Sequence, residues 1–340
     1  MDERRDAAAA NRDRRTAAMD RSRAVATLRR TVADFAAQVD GERWCVALSG
    51  GPDSLALTAV AAAERPTTAL IVDHGLQTGS RAVAETARAQ ALSVGCVGAE
   101  IIPVVVGRSG GPEAAARKAR YTALQAARDG APVLLGHTLD DQAETVLLGL
   151  ARGSGPRSIA GMRPHDPPWH RPLLGIRRTV THAACEELGL KPWHDPHNFE
   201  PRFTRTRLRL DVMPLLEEVL GGGVAEALAR TATALREDTE TLDEIARQAL
   251  ETSQTSARTP PGLDTEVLAG LPGAVRRRVI RAWLLTNGGT DLTDVQIRGV
   301  DRLVTDWRGQ GGVAVGSNLS RQRLFVGRRH GELVLYTEPV

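Results

Sequence analysis

A chain of 340 residues, 42% hydrophobic and 25% charged, is long enough for roughly two domains and buries a core without disulfides or a structural metal. Its apolar runs fall far short of a membrane span, and its charged, alanine-rich start lacks the apolar stretch of a secretion signal; membrane residence is excluded and the cytoplasm expected. The net charge is only +3, yet lysine appears twice, as Lys118 and Lys191, so nearly all positive charge is arginine, which grips phosphate bidentately and stacks on bases.

In chain order, residues 1–22 carry Arg4, Arg5, Arg12, Arg14 and Arg15 among aspartates and alanines and read as a flexible basic arm. Residues 23–220 read as a catalytic domain. Short β-branched, apolar runs at Trp44–Ser49, Ala69–Asp73, Glu100–Val106 and Val133–Gly136 predict strands buried on both faces of a sheet. Between them Leu55–Ala63, Arg81–Leu92, Glu113–Arg128 and Asp140–Leu150 have helical periodicity. That alternation predicts an α/β fold with a doubly wound parallel sheet, whose ligands sit at the strands' carboxyl ends. Cys45, Cys96 and Cys185 are scattered, with no CxxC pair, and read as buried reduced thiols. They disfavour a zinc site, sulfur transfer or iron–sulfur chemistry.

A Pro- and Gly-rich stretch, 153–172, ends the regular pattern, and Gly221–Gly223 punctuate the chain. Residues 221–340 then read as a smaller α+β domain. Val224, Leu228, Leu235, Leu242 and Ile245 predict one face of a long helix, and Val275, Val279, Ile280 and Trp283 mark another. Strands are expected at Leu319–Val326 and Glu332–Tyr336.

The loop Ser49-Gly50-Gly51-Pro52-Asp53-Ser54 follows the first strand and opens a helix. Adjacent glycines permit positive φ and bring amides close to an anion, Ser49 and Ser54 add hydroxyls, and the helix dipole favours phosphate. Asp53 is out of place beside a polyanion unless a cation such as Mg²⁺ lies between them. A plain strand-to-helix turn is the rival reading. A Walker loop is ruled out because neither lysine follows a glycine, and Gly153-Ser154-Gly155 follows a helix rather than the strand of a dinucleotide fingerprint.

Asp73 and His74 end the second strand and face the nucleotide or make a polar turn. His137, Asp141 and Glu144 stand i, i+4, i+7 and share a helix face if the helix starts early. Such a face holds Mg²⁺ or a substrate ammonium; alternatively Thr138 and Asp141 form a capping box. Arg117 and Arg120, beside Lys118, lie on a helix that is a solvated face or an RNA contact. Downstream, Arg202, Arg205, Arg207 and Arg209 fall within eight residues near Trp193, Phe199 and Phe203, combining charge for phosphates with rings for bases.

SGGPDS resembles the signature of N-type ATP pyrophosphatases, which cleave ATP to AMP and pyrophosphate while activating an oxygen as an adenylate. With VDHGL, EAAARKARY, GHTLDDQAETVLLGLARGSG, RPLL and DPHNFEPRFTRTRLRLDVMPLLE in this order, residues 40–330 resemble the tRNA(Ile)-lysidine synthase family. The resemblance implies that ATP adenylates C2 of the wobble cytidine of a CAU-anticodon tRNA(Ile) and that L-lysine then displaces AMP. It assigns ATP and Mg²⁺ to Ser49, Gly50, Gly51, Pro52, Asp53 and Ser54, with Asp53 as metal ligand and Asp73 and His74 beside the nucleotide. His137, Asp141 and Glu144, with Asp53, become catalytic, and Arg117, Arg120, Arg202, Arg205, Arg207 and Arg209 touch tRNA. The family often has histidine at Thr138, serine at His197 and asparagine at Thr206. Rival readings are a tRNA thiolase, an amidotransferase-coupled nucleotide synthetase and a catalytically silent RNA-binding protein. A homodimer is left open.

Overall fold

The two loops of interest leave neighbouring strands at the middle of a parallel sheet. The structure, a computed structural model, describes residues 23–75, 79–107, 111–153, 155–195, 200, 202–255 and 260–339. The basic arm at 1–22, and with it His197 and Phe199, lies outside the described residues. Strands β1 (Trp44–Ala47), β2 (Thr67–Asp73), β3 (Gly98–Pro103) and β4 (Val133–Leu135) are parallel, and β5 (His165–Asp166) and β6 (Trp169–His170) extend the edge in the order β3-β2-β1-β4-β6-β5. Val46 of β1 is registered with Ala69 on one side and Leu134 on the other. The chain therefore turns to opposite sides of β1, which opens a crevice beyond its carboxyl end.

Successive residues of β1 explain why the strand reads as a continuous apolar run. Val46 packs with Leu28, Leu55, Ile71 and Leu134 on one face of the sheet, whereas Cys45 packs with Leu70, Leu124 and Val133 on the other. Helices α1 (Arg23–Ala36), α2 (Pro52–Glu64) and α3 (Ser80–Ser93) supply the first layer, and α4 (Pro112–Ala127) the second. All three cysteines are free and buried, as expected. Strand β3 is shorter than its composition suggests: the Val104 amide makes the last bond, to Asp73 O at 2.9 Å, and Val105 is 95% exposed.

After α5 (Leu139–Arg152) and a short α6 (Pro156–Ile159) come α7 (Arg178–Glu187), α8 (Thr204–Arg207), a π-helical turn (Leu208–Val212), α9 (Met213–Val219) and the long α10 (Val224–Ser253). The chain divides into two compact units, residues up to Ala151 with Gly161–Ala232, and Arg152–Ala160 with Thr233–Val340. The division falls inside α10 rather than at the Gly221–Gly223 punctuation, because Ala225, Leu228 and Ala229 pack on Leu139 and Ala143 of the first unit. The buried stripe of α10 follows the expected face and adds small residues to it: Val224 is buried, and Leu228 and Leu242 each pack against a core cluster. Ala225, Ala232, Thr239, Ala246 and Ser253, spaced by seven residues or two turns, are buried, and Ile245 is 45% exposed.

The second unit has its own antiparallel sheet, order β7-β10-β9-β8, from β7 (Leu263–Asp264), β8 (Val313–Val315), β9 (Gln322–Arg329) and β10 (Glu332–Pro339). Its core joins Leu263, Val279, Trp283, Val300, Val326 and Leu333, carried partly by α12 (Gly273–Thr286) and α13 (Asp294–Thr305) that follow α11 (Thr265–Ala269). Strand β9 begins after Leu319 because Arg321 turns the chain with φ 61°, leaving Leu319 48% exposed.

Candidate active site

Gly50, at φ 86°, adopts the left-handed conformation that the double glycine predicted, and Pro52 starts α2. Among the described residues no protein acceptor takes the amide hydrogens of Gly50 and Gly51, so both remain available to an anion at the helix start. The serines do different work from that expected. The Ser54 hydroxyl accepts from the Ser49 amide at 3.2 Å, lies 3.0 Å from the Ser49 hydroxyl and donates to Gly51 O at 3.0 Å. The two hydroxyls thus stitch the loop together, and the Trp193 amide clamps Gly50 O from outside at 2.9 Å.

Gly136, at the end of β4, fixes how close the second loop comes. A Cβ there would lie 3.0 Å from both the N and Cα of Ser54 and 3.1 Å from Asp53 C, all backbone atoms that cannot swing away. Gly136→Ala is expected to displace the first turn of α2, weakening nucleotide binding at least about tenfold and costing about 1–3 kcal/mol of stability. Titration calorimetry and chemical denaturation measure both; unchanged values would remove this steric role.

Two cavities open on the loop and share Ala47, Ser49, Arg120 and Trp193. One, of about 310 Å³, is walled by Leu48, Ile71, Val72, Val83 and Leu124, with Asp73 and His74 at its rim. Its apolar walls suit a flat heterocycle. The other, of about 450 Å³, is lined by Gly51, Asp53, His137, Asp141, Arg178 and Arg209. Buried polar atoms without a protein partner line the two cavities: His74 Nδ1 the first, Arg120 Nε both, and His137 Nδ1 and His182 Nε2 the second. Native interiors rarely leave such atoms unmatched, so these four are available to a ligand in the two cavities. Asp73 fits its humbler reading as well, since Oδ1 accepts the Gly75 amide at 3.1 Å within the turn.

The carboxylates do not stand free. Asp141 Oδ2 accepts the Thr138 amide at 2.8 Å and hydroxyl at 2.9 Å, which makes the capping box, while Oδ1 faces Arg178 Nη2 at 2.8 Å and Arg209 Nη2 at 3.3 Å. Glu144, its side chain only 1% exposed, meets Arg209 Nε at 2.8 Å and Arg178 Nη2 at 3.4 Å. Asp53 accepts the Thr181 hydroxyl and lies 3.5 Å from Arg178 Nε. Three carboxylates and two guanidiniums leave one formal negative charge, room for one more cation. Burial pushes the Asp53 carboxyl up, with Thr181 and Arg178 opposing. For Asp141 burial also acts upward, but Arg178, the Thr138 amide and Arg209 outweigh it and hold the group below the usual carboxylate range. Arg178 keeps its charge more firmly than a free guanidinium: burial works against it, and Asp141, Glu144 and Asp53 prevail.

Helix α5 begins at Leu139, so His137 precedes it rather than sharing its face. Burial, helped by Arg120, Arg171 and Arg117 and opposed by Asp141, lowers its pKa to about 4 from an ordinary 6.5. Between those values the unfolded chain binds a proton that the folded site refuses. Stability from this group is therefore complete above pH 6.5 and lost as pH falls toward about 4. Asp53, raised, acts in the opposite sense in part of that window. Denaturation midpoints of wild type and His137→Gln isolate the histidine: wild type is expected to lose stability more steeply on acidification, and parallel curves would refute it.

The arginine run separates by face. Arg205 Nη2 donates to Thr145 Oγ1 at 3.2 Å and Arg209 enters the carboxylate cluster, both turned toward α5, so Arg209 departs from the expected nucleic-acid role. Arg202 lies 4.8 Å over Phe203, and exposed Arg207 pairs with Asp211 at 3.5 Å. On α4, Arg117 is exposed over Tyr121 at 4.8 Å, whereas Arg120 points into the shared cavity wall. Sequence reasoning missed Arg178, Thr181, His182 and Gly136.

Residues 24–216 match the model of the PP-loop domain, and residues 263–334 that of the TilS substrate binding domain. A tRNA(Ile)-lysidine synthase of Mycobacterium tuberculosis (strain ATCC 25618 / H37Rv) is 70% identical over 324 residues, covering 95% of this chain and 100% of the relative. That of Mycobacterium leprae (strain TN) is 67% identical over 329 residues with the same coverage, and that of Rhodococcus erythropolis (strain PR4 / NBRC 100887) is 61% identical over 294, covering 86% and 89%. Among solved structures, the U34-tRNA thiolase NcsA from Methanococcus maripaludis with its 4Fe-4S cluster aligns with TM-score 0.51 at 18% identity, covering 63% of this chain and 80% of its own. That likeness concerns the fold alone.

Proposed function

The chain belongs to the tRNA(Ile)-lysidine synthase family, and from that premise we propose that it is an ATP-dependent carbon–nitrogen ligase forming lysidine on tRNA(Ile). The reading rests most on the paired cavities, an apolar slot and a charged chamber meeting at Ser49, Arg120 and the phosphate loop. Adenine and ribose fit the slot, which places the triphosphate over the free amides of Gly50 and Gly51 and its α-phosphorus at the entrance of the chamber. The C2 oxygen of the wobble cytidine of a CAU anticodon attacks that phosphorus, a bond to the bridging oxygen breaks, and pyrophosphate leaves. The deprotonated ε-amine of L-lysine then attacks C2, and AMP departs with the oxygen.

The chain's own groups prepare both steps. Arg120, with an unmatched buried nitrogen on both cavities, neutralises phosphate charge. Asp141 and Glu144 orient the lysine ammonium, Glu144 receives the proton its nitrogen must lose, and His137, uncharged near neutrality, accepts a hydrogen bond without repelling that cation. Among the described residues no three His, Cys, Asp or Glu side chains group to hold a metal. Asp53 is the residue that would hold a Mg²⁺ ion, which would offset phosphate charge. Arg117, Arg202 and Arg207, on the surface, suit tRNA phosphates, and these substrates put the enzyme in the cytoplasm.

ATP–pyrophosphate exchange with and without tRNA(Ile), followed by labelled lysine, tests the reading. Exchange is expected only with the CAU tRNA, and lysine is expected to enter that tRNA. Failure of both with folded, ATP-binding protein overturns the proposal.

A further inference from the structure

One imidazole of the charged chamber has no part in the steps above. Thr181, His182 and Cys185 follow Arg178 by three, four and seven residues, so the four share one face of α7. That face lies against the first turn of α2: the Thr181 hydroxyl donates to Asp53, and the Cys185 thiol donates to Pro52 O at 3.4 Å. His182 therefore lines the chamber beside the phosphate loop, and its Nε2 is buried with no hydrogen-bond partner among the described residues. Leaving such a nitrogen unbonded is costly, and the arrival of a ligand removes the cost.

The other cations of the chamber are committed. Arg178 and Arg209 face Asp141 and Glu144, and Arg120 stands where chamber and slot join, at the α-phosphate of the reading above. Neither of the two lysines lines the chamber, and His194 is exposed to water. His182 Nε2, paired with no carboxylate among the described residues, is the buried donor left on the phosphate-loop side for the β- and γ-phosphate oxygens. Resting on the ATP-dependent ligase reading, we infer that His182 Nε2 donates a hydrogen bond to the pyrophosphate half of ATP and holds it while the bond to the α-phosphorus breaks. That bond leaves its electron pair on the pyrophosphate, and the donor meets the growing charge without giving up its proton.

Calorimetric titration of the full chain with ATP, AMP and pyrophosphate, each with Mg²⁺, tests the assignment. Wild type is compared with His182→Gln, whose amide nitrogen falls near the place of Nε2, and with His182→Asn, whose nitrogen falls near that of Nδ1. The asparagine variant is expected to bind ATP and pyrophosphate about tenfold more weakly and AMP within about twofold of wild type. The glutamine variant should restore most of that loss. In exchange assays with tRNA(Ile), the KM for pyrophosphate should rise in the asparagine variant by the same factor. Equal losses on AMP and ATP would make His182 a packing residue, and unchanged pyrophosphate affinity in the asparagine variant, or a wild type that binds no pyrophosphate, overturns the assignment. Should the asparagine variant not fold, the imidazole ¹⁵N signal of His182, identified by its loss in the glutamine variant, decides: it is expected to move with pyrophosphate and not with AMP, and a signal that stays put ends the proposal. Wild type that binds all three ligands yet never couples lysine leaves His182 in place and overturns the ligase reading alone.

Discussion

Asp53→Ala is expected to cut pyrophosphate exchange by about a hundred- to a thousandfold, the scale of losing one preorganised charge at a reacting phosphate. A lone carboxylate in the first turn of α2 helps the helix dipole, but it also repels the triphosphate that the adjacent amides attract. Its presence makes electrostatic sense once a cation stands between the two. Its burial strengthens the point, because desolvation already pushes the carboxyl toward its neutral form, and Thr181 and Arg178 only partly oppose that. Affinity for tRNA should stay within about twofold, since the side chain is 21% exposed and set among Thr181 and Arg178 rather than on the surface. Asp53→Asn separates charge from shape: it keeps a partner for the Thr181 hydroxyl and removes the charge. It should be as inactive as alanine yet no less stable near neutral pH, where the ionised form is the costly one. Substantial exchange by the asparagine variant would leave Asp53 a hydrogen-bonding residue and end its assignment to Mg²⁺.

What was legible in the sequence had local causes. Two glycines, a proline and an acid after a strand prescribe a loop through φ, helix start and dipole, all set within six residues, and the loop forms there. Strand β1 was legible because both its faces are buried, so Cys45 and Val46 both had to be apolar. Arg178 was not. It stands 37 residues from Asp141 and reaches it only because α7 packs beside α2, and in so arginine-rich a chain nothing local distinguishes it. Arg209 left a usable trace. It follows Arg205 by four residues, and both face α5, while Arg202 and Arg207 lie off that row and point outward. Charge density alone hid this division, and the π-helical turn from Leu208 to Val212 widens the segment where the face is decided. Along α10 the large side chains marked the face, with Leu228 and Leu242 packing inward as expected, but its small members, Ala225 and Ala246, gave no signal because close packing rather than hydrophobicity selects them.

Arg178→Ala is expected to have the widest effect on the molecule, about 3–5 kcal/mol of stability together with loss of lysine transfer. Among the described residues its guanidinium alone reaches all three carboxylates, at 2.8 Å from Asp141, 3.4 Å from Glu144 and 3.5 Å from Asp53. Without it Arg209, twice as exposed at 31% against 16%, is left to offset three negative charges. Glu144, almost wholly enclosed, has no water to turn to. The backbone bond from the Arg178 amide to Asp140 Oδ2, 2.7 Å, survives the change, so the start of α7 should persist and the loss should be electrostatic. Two companions test that cause by urea denaturation. Arg178→Lys keeps the charge without the planar fork and should recover part of the stability. Adding Glu144→Gln to Arg178→Ala removes one uncompensated charge and should also recover stability, but no turnover, because the carboxylate proposed to receive the amine proton is then gone. A double variant no more stable than Arg178→Ala would mean that packing, not charge, makes this arginine necessary.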